Sequence, residues 1–474
     1  MSIEQALQER ILTLDGAMGT RLQTLGVGAE CFHRGRFRDW PVTLAGNNDV
    51  LCLTAPEVVE QVHRLYVEAG ADIITTNTFS ANRISQHDYA CDEEAQAMAR
   101  EGARIARRVA DSVKDRHVWV AGSMGPTARS LTLGRGVLES TGAFDVMAAA
   151  YGEQAEALLE GGADVLLLET CYDALNAKAA LYAIERLGES LGKQIPVMVS
   201  VTVNDRSGRT LTGQTLMAFY HSIAHYPALL SFGLNCSFGV ADLRPFVEQL
   251  SENIPVHLSL YPNAGLPNEM GEYDELPEYT ASHLREMAKD GLLNMAGGCC
   301  GTDERHIRRI REAMEGMTPR SLPPADERLW LSGLEPLLID RRTQNFTNIG
   351  ERTNVAGSRK FARLIAEGQH DEALMVARQQ IEGGASVIDI NMDAPMLDSA
   401  EAMETFCRHI NTDPSVAQAA LMIDSSDWPT ILTGLKNAQG KSIVNSISLK
   451  NGEEEFLDKA RELRRLGAAA VVMV

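Results

Sequence analysis

Apolar and polar positions alternate along the chain in a regular order. Short apolar runs rich in β-branched residues end in polar or glycine residues, and a segment with helical periodicity follows each of them. Helical periodicity is clear, for example, at 93–113 and 242–252. Eight apolar runs in the first two thirds of the chain predict strands at 11–16, 72–79, 117–125, 164–170, 196–203, 229–237, 255–263 and 292–301.

Eight strand–helix units in about 315 residues predict a (β/α)8 TIM barrel in an α/β protein. A doubly wound open sheet is the alternative architecture. The count of eight units favours the barrel, and so does the lack of a G-x-G-x-x-G turn after the first strand.

A second region of alternation follows a segment with weak periodicity. Residues 319–344 contain several prolines and predict a linker between a first domain at 1–318 and a second at 345–474. The second domain has five predicted strands, at 345–351, 386–394, 420–426, 442–448 and 468–474. Because a barrel needs eight strands to remove its open edges, we expect a second, truncated TIM-type barrel, incomplete at the C-terminus.

Composition excludes several classes of partner. The chain has 474 residues, 45% of them hydrophobic, and a formal net charge of −20. This charge disfavours binding to nucleic acid or to an anionic membrane. Apolar runs are strand-sized, and the polar start MSIEQALQER lacks a secretory signal. We therefore expect a cytoplasmic protein.

Reactive residues concentrate where the predicted strands of the first domain end, which is where TIM barrels carry their active sites. Cys236 ends the sixth strand, and Cys299 and Cys300 end the eighth. Strands six and eight lie two apart in the ring, so these thiols can converge on one Zn²⁺ ion and leave a fourth position open. Cys31, Cys52, Cys91, Cys171 and Cys407 are interpreted as packing residues.

A zinc site made of three thiolates suits activation of a thiol substrate. A free alkyl thiol is mostly protonated at neutral pH, and coordination to zinc deprotonates it. Activation of water is the competing chemistry, but hydrolytic zinc sites usually use histidine and carboxylate ligands. Asp15 and Glu169 could hold a substrate ammonium group, and backbone amides near Gly16 and Ser123 could bind a carboxylate.

Six segments of the first domain resemble the homocysteine S-methyltransferase family: LDGAMGT (14–20), TTNTF (75–79), GSMGP (122–126), LLLET (166–170), GLNCS (233–237) and GGCCGT (297–302). The resemblance implies that Cys236, Cys299 and Cys300 bind Zn²⁺ and that homocysteine sulfur takes the fourth place. It implies a homocysteine pocket made of Asp15, Gly16, Thr76, Asn77, Ser123, Glu169 and Asn235.

The second domain resembles pterin-binding domains through NFTNIGERTN (345–354), IDINMD (388–393), MIDSS (422–426) and IVNSIS (443–448). The resemblance implies a folate pocket lined by Glu351, Asp389, Asn391, Asp424 and Asn445. Together the two domains are similar to the N-terminal half of cobalamin-dependent methionine synthases. That similarity implies methyl transfer from 5-methyltetrahydrofolate to homocysteine via cobalamin, bound by a cobalamin-binding domain absent from this chain. It also associates the chain with methionine biosynthesis and S-adenosyl-L-methionine.

Two other functions stay open. A corrinoid-independent homocysteine S-methyltransferase would take its methyl group from betaine or S-methylmethionine, although such proteins end after one barrel. A non-catalytic zinc-binding module would need a fourth protein ligand, for which His257 on the seventh predicted strand is the nearest candidate.

Overall fold

The computed structural model describes residues 2–133 and 142–473. Its first eight strands lie in one parallel sheet with the order β1-β8-β7-β6-β5-β4-β3-β2. An isolated parallel bridge between Leu14 and Ile73 joins β1 to β2 and completes the ring. The strands are β1 Leu12–Thr13, β2 Ile73–Thr75, β3 Trp119–Met124, β4 Val165–Cys171, β5 Val197–Val201, β6 Leu229–Gly239, β7 His257–Asn263 and β8 Met295–Ala296. The predicted (β/α)8 barrel is confirmed.

Helices cover the outside of the barrel because their apolar residues recur with helical spacing. In the helix predicted at 93–113, Met98, Ile105 and Val109 are buried, and they are separated by seven and four positions. The helices of the first domain are α1 Ile3–Glu9, α2 Met18–Thr24, α3 Ala29–Phe32, α4 Leu51–Thr54, α5 Pro56–Glu68, α6 Arg83–Gln86, α7 Ala95–Ser112, α8 Ala143–Glu160, α9 Ala174–Ser190, α10 Leu216–Ile223, α11 Val240–Asn253, α12 Pro277–Lys289 and α13 Glu304–Met314.

The segment predicted as a linker contains a β-hairpin. Strands β9 Leu329–Ser332 and β10 Pro336–Ile339 pair in antiparallel fashion. Leu331 is fully buried against Val387, Ala420 and Met422 of the second sheet. The hairpin is therefore stabilised by packing against a distant part of the chain, which local periodicity does not reveal.

The second domain is a parallel five-stranded sheet in sequence order, as expected for the α/β pattern. Its strands are β11 Ile349–Asn354, β12 Val387–Asn391, β13 Ala420–Asp424, β14 Ile443–Ser448 and β15 Ala469–Met473. The helices between them are α14 Arg359–Ala366, α15 His370–Glu382, α16 Ser399–Asn411, α17 Pro414–Ala417, α18 Trp428–Asn437 and α19 Glu453–Arg465. All five predicted strands are present, and residue 474 of the last one lies outside the described residues.

One face of α9 joins the two domains. Lys178 and Tyr182 on this face both reach the second domain. The Lys178 Nζ donates hydrogen bonds to the carbonyl oxygens of Ala438 and Gly440, each at 3.0 Å. Tyr182 donates to Glu462 of α19 at 2.6 Å. The two sheets are thus held together by buried polar contacts.

Among the described helices, none combines the length and the apolar character that crossing a bilayer requires.

Candidate metal and substrate site

Three cysteine sulfurs meet at the C-terminal end of the barrel. Cys236 lies near the end of β6, and Cys299 and Cys300 directly follow β8. The three Sγ atoms lie within 4.8 Å of one another. The Sγ atoms of Cys236 and Cys300 are 4.0 Å apart. Strands two apart in the ring therefore bring together residues separated by more than sixty positions, as the sequence predicted.

The backbone around the thiols is shaped for close approach. Cys236 and Ser237 have φ values of 59° and 65°, in the left-handed region. The Ser237 hydroxyl accepts a hydrogen bond from the Val203 amide at 2.9 Å, which fixes this turn. A Cβ on Gly298 would lie 2.4 Å from the Thr302 hydroxyl, so only glycine fits there.

Hydrogen bonds among the three thiols shift their pKa values. Hydrogen bonds from Cys299 and Cys300 lower the pKa of the Cys236 thiol. Hydrogen bonding to Cys236 raises the pKa of Cys299 and of Cys300. One thiolate is thus stabilised by two thiols, and a bound cation would favour ionisation of all three. The donor set, three half-buried sulfurs, fits a thiophilic divalent ion such as Zn²⁺.

A cavity of about 380 Å³ opens beside the sulfurs. Cys236, Cys299 and Cys300 line it. Six of the seven predicted substrate residues line it as well: Asp15, Gly16, Thr76, Asn77, Ser123 and Glu169. The volume is in the range of small-molecule sites.

Two carboxylates face this cavity, that of the buried Asp15 and that of the partly buried Glu169. Asp15 accepts hydrogen bonds from the Thr75 amide at 2.8 Å and from the Thr75 hydroxyl at 3.0 Å. Burial nevertheless raises the pKa of Asp15 to about 8. Glu169 accepts a hydrogen bond from the Ser123 hydroxyl, and burial raises its pKa to about 7. A cationic group between them would be strongly favoured, because it would let both carboxylates ionise.

The seventh predicted residue, Asn235, lies behind the cavity wall. Its Oδ1 accepts hydrogen bonds from the Ser200 hydroxyl at 2.7 Å and the Thr170 amide at 3.0 Å. Its Nδ2 donates to the Thr170 hydroxyl at 2.8 Å and lies 3.8 Å from the Cys299 sulfur. Asn235 therefore braces the walls of the site, because its polar atoms are already occupied.

In the second domain, predicted polar residues lie side by side at the ends of parallel strands. Asn391, Asp424 and Asn445 are register partners across β12, β13 and β14. Asn391 donates to Asp424 at 3.0 Å. Asp389, two positions before Asn391, is buried, and burial together with Asp424 raises its pKa to about 7. Glu351 is exposed on β11, near enough to influence the pKa of Asp389.

Known proteins share both halves of this architecture. Residues 12–314 match the family model described as homocysteine S-methyltransferase, and residues 350–474 match the one described as pterin binding enzyme. The chain belongs to the homocysteine S-methyltransferase family.

Two solved structures of the homocysteine methyltransferase MmuM from Escherichia coli are similar to the homocysteine S-methyltransferase part. The oxidised form is 23% identical, with a TM-score of 0.50 over 64% of this chain and 95% of that chain. The metallated form is 21% identical, with a TM-score of 0.49 over 65% of this chain and 98% of that chain. The first of these likenesses shows a shared barrel fold.

Several residues of this candidate site were not predicted from the sequence. Asp49 lines the cavity, accepts the Ser80 amide at 2.9 Å, and has a pKa raised by burial to about 6. Tyr261 of β7 also lines the cavity. Asn263, two positions later, lies beside Cys236 and lowers its pKa by hydrogen bonding. Alternation along β7, which places 261 and 263 on the same side, was the available signal.

In the second domain, Asn354 and Asp393 were likewise missed. Asn354 lies 3.4 Å from the Asp389 carboxylate. Asp393 accepts hydrogen bonds from the Ser425 hydroxyl at 2.6 Å and the Ser426 amide at 2.7 Å. Both residues stand next to predicted ones, in NFTNIGERTN and IDINMD.

His257, the nearest candidate for a fourth protein ligand, does not reach the three thiols. It begins β7, whereas Asn263, beside Cys236, ends that strand. Six residues of strand separate the two by roughly 20 Å. His257 therefore lies at the opposite end of the barrel from the thiols.

Proposed function

We propose that this chain catalyses methyl transfer to the thiol of homocysteine, giving methionine, at a Zn²⁺ site formed by Cys236, Cys299 and Cys300. The observation that carries the proposal is the meeting of these three thiols beside a cavity with two carboxylates. When bound, zinc supplies the charge that keeps a coordinated substrate thiol deprotonated at neutral pH.

The residues of the cavity would bind the other end of homocysteine. Asp15 and Glu169 would hold its ammonium group, because both carboxylates face the cavity and lack a cationic partner in the described part of the chain. Gly16 lines the same cavity, and its backbone amide would bind the substrate carboxylate.

The substrate sulfur would then attack the methyl carbon of the donor. A sulfur–carbon bond forms as the bond between the methyl group and the donor breaks, and the bonding electron pair leaves with the donor. The thiol proton is released to solvent when the sulfur enters the site.

We further propose that the methyl group originates from 5-methyltetrahydrofolate bound by the second domain. Glu351, Asp389, Asn391, Asp424 and Asn445 would bind the pterin, whose ring presents hydrogen-bond donors and acceptors. Transfer between the domains would use cobalamin on a separate cobalamin-binding domain. The match of residues 350–474 to pterin binding enzymes supports this donor over betaine or S-methylmethionine.

The eight free cysteines suit a cytosolic reaction.

X-ray absorption of the zinc-loaded chain, with and without homocysteine, tests the first step. We expect one additional sulfur neighbour of zinc when homocysteine is added. An unchanged coordination shell would support a structural zinc module and contradict the proposal.

Methyl transfer to homocysteine from methylcobalamin, betaine and S-methylmethionine, each supplied in solution, tests the donor. We expect product with methylcobalamin. Product with betaine or S-methylmethionine alone would assign the chain to the corrinoid-independent class.

A further inference from the structure

The Tyr261 hydroxyl group lies in the candidate site without a well-formed hydrogen bond to any described residue. The ring is 4% exposed and packs inside the barrel against apolar residues that include Leu14, Met198 and Met295. Its hydroxyl is buried and makes no hydrogen bond of good geometry within residues 2–133 and 142–473, although Glu169 and Ser200 lie close to it. An unpaired buried hydroxyl destabilises the folded state, and phenylalanine would pack the same ring without that cost. The hydroxyl therefore calls for a functional explanation.

Several polar groups lie near this hydroxyl. Burial raises the pKa of Tyr261 well above its usual value, and the charges of Glu169 and Cys299 raise it further. Ser200, another neighbour, already donates its hydroxyl proton to Asn235 at 2.7 Å. Cys299 belongs to the thiol cluster. Ser200 could still accept a hydrogen bond, but Glu169 is the stronger acceptor: its carboxylate has about four lone-pair sites, Ser123 occupies one, and a hydrogen bond to an ionised group is stronger than one to a neutral hydroxyl.

Both Tyr261 and Glu169 line the cavity. A substrate ammonium beside Glu169 would favour the ionised carboxylate, and an ionised carboxylate accepts a stronger hydrogen bond than a protonated one. The Tyr261 hydroxyl would then gain the partner that it lacks.

We propose that Tyr261 is a positioning residue for substrate selection: its hydroxyl donates a hydrogen bond to Glu169 in the homocysteine complex and orients that carboxylate toward the substrate ammonium group. The role rests on the proposed function. It would make the site favour thiols that carry an α-ammonium group over thiols that do not.

Titration calorimetry with the zinc-loaded chain tests this role. The two ligands are L-homocysteine and 4-mercaptobutanoate, which keeps the thiol and the carboxylate but lacks the ammonium group. For Tyr261→Phe we expect the Kd of homocysteine to rise about tenfold, in line with loss of a hydrogen bond to a charged group. The Kd of 4-mercaptobutanoate should stay within about twofold, because Glu169 has no ammonium to bind in that complex.

The Tm of Tyr261→Phe is a second measurement. A purely structural role of the hydroxyl would lower it, whereas the proposed role would not. Tyr261→Phe removes an unpaired hydroxyl, so its Tm should equal or exceed that of the wild type, at unchanged zinc content. Tyr226→Phe is the matched control, because the Tyr226 hydroxyl donates to the Ile195 carbonyl at 2.7 Å, before β5 begins. This control should leave both Kd values unchanged and lower the Tm.

The remaining outcomes would contradict the proposal. Equal weakening of both ligands, or a lower Tm with loss of zinc, would overturn the role of Tyr261. So would a homocysteine Kd equal to that of the wild type. A wild-type chain that binds neither thiol would overturn the proposed function and this role together, whereas the preceding outcomes leave the proposed function standing.

Discussion

Substitution of Cys300 is the most direct test of the metal site. Cys300→Ala removes one of three sulfurs that lie within 4.8 Å of one another. We expect zinc affinity to fall by more than about 100-fold, since loss of an outer-shell partner alone costs about 10–100-fold. Competition with a chromophoric zinc chelator measures this change.

Cys171→Ala is the matched control for that variant. Cys171 ends β4 and lies outside the thiol cluster, so zinc affinity should be unchanged. Circular dichroism should show that both variants keep their fold, because the core lies below the strand ends. Full zinc affinity in Cys300→Ala would contradict the ligand assignment.

The two carboxylates of the cavity predict a pH dependence of binding. Burial raises the pKa of Glu169 to about 7 and that of Asp15 to about 8. Below these values the carboxyl groups are neutral and attract an ammonium group weakly. The affinity for homocysteine, relative to that for 4-mercaptobutanoate, should therefore rise as the pH increases through about 7 to about 8.

Calorimetry with both ligands across this range measures the ratio of the two Kd values. Taking the ratio removes the pH dependence that both thiols share. Glu169→Gln should flatten the lower part of the rise. A ratio that does not change with pH would argue against carboxylate binding of the ammonium group.

Among the secondary-structure elements, the junction between β1 and β2 depends on one buried carboxylate. Asp72 directly precedes β2, and its side chain is fully buried. It accepts hydrogen bonds from Arg10 at 2.6 Å, from Arg311 at 2.9 Å and from the Thr13 amide at 3.0 Å. These contacts tie the ends of α1 and α13 to the place where the barrel closes.

Asp72→Asn should lower the free energy of unfolding by about 3 kcal/mol, because it leaves guanidinium groups without their carboxylate. Urea denaturation measures the change. Asp111→Asn is the control, since Asp111 is 68% exposed and its pair with Arg107 is worth at most about 1 kcal/mol. Equal stability of Asp72→Asn and the wild type would mean that the cluster does not hold the barrel closed.

The elements differ in how well the sequence predicts them. Each of the thirteen strands of the two domains overlaps a predicted run, although β1 and β8 each keep two residues as strand and β11 is Ile349–Asn354 instead of the predicted 345–351. The β9–β10 hairpin was missed, because its pairing is stabilised by burial of Leu331 under the second sheet. Local pattern therefore fails where a distant surface provides the burial.

For the molecule as a whole, Lys178 predicts that the junction between the domains responds to pH. Burial lowers the pKa of Lys178 from 10.5 to about 7, and its nitrogen donates to two carbonyl oxygens. A neutral amine has two N–H donors, which matches these two acceptors. Above pH 7 the unfolded chain keeps a proton on this lysine that the folded chain releases, so folding becomes more favourable as the pH rises from about 7 toward 10.5.

The stability of the wild type relative to Lys178→Met should therefore increase with pH in this window, by at most about 1.4 kcal/mol per pH unit. Urea denaturation of both proteins at several pH values measures the slope. Lys289→Met is the control, since Lys289 is 49% exposed on α12. A difference that stays constant with pH would show that Lys178 is protonated in the folded protein.

The amino-acid sequence alone was sufficient to predict the barrel, the cluster of three thiols and most residues that line the cavity. Strand and helix periods are local, and a parallel barrel places every strand end on one side, so Cys236 and the Cys299–Cys300 pair had to face the same end. In the second domain, Asp389, Asn391 and Asp424 were expected together because the sequence resembles pterin-binding domains.

Tertiary packing decided the rest. Whether a polar side chain faces the cavity or braces its wall depends on which partners surround it, and for this reason Asn235 lies behind the site while Tyr261 and Asp49 line it. Contacts between the domains, such as those of Lys178, join residues about 260 positions apart. Contacts of this kind depend on how the folded domains pack together, and the local periodicity of the sequence does not predict them.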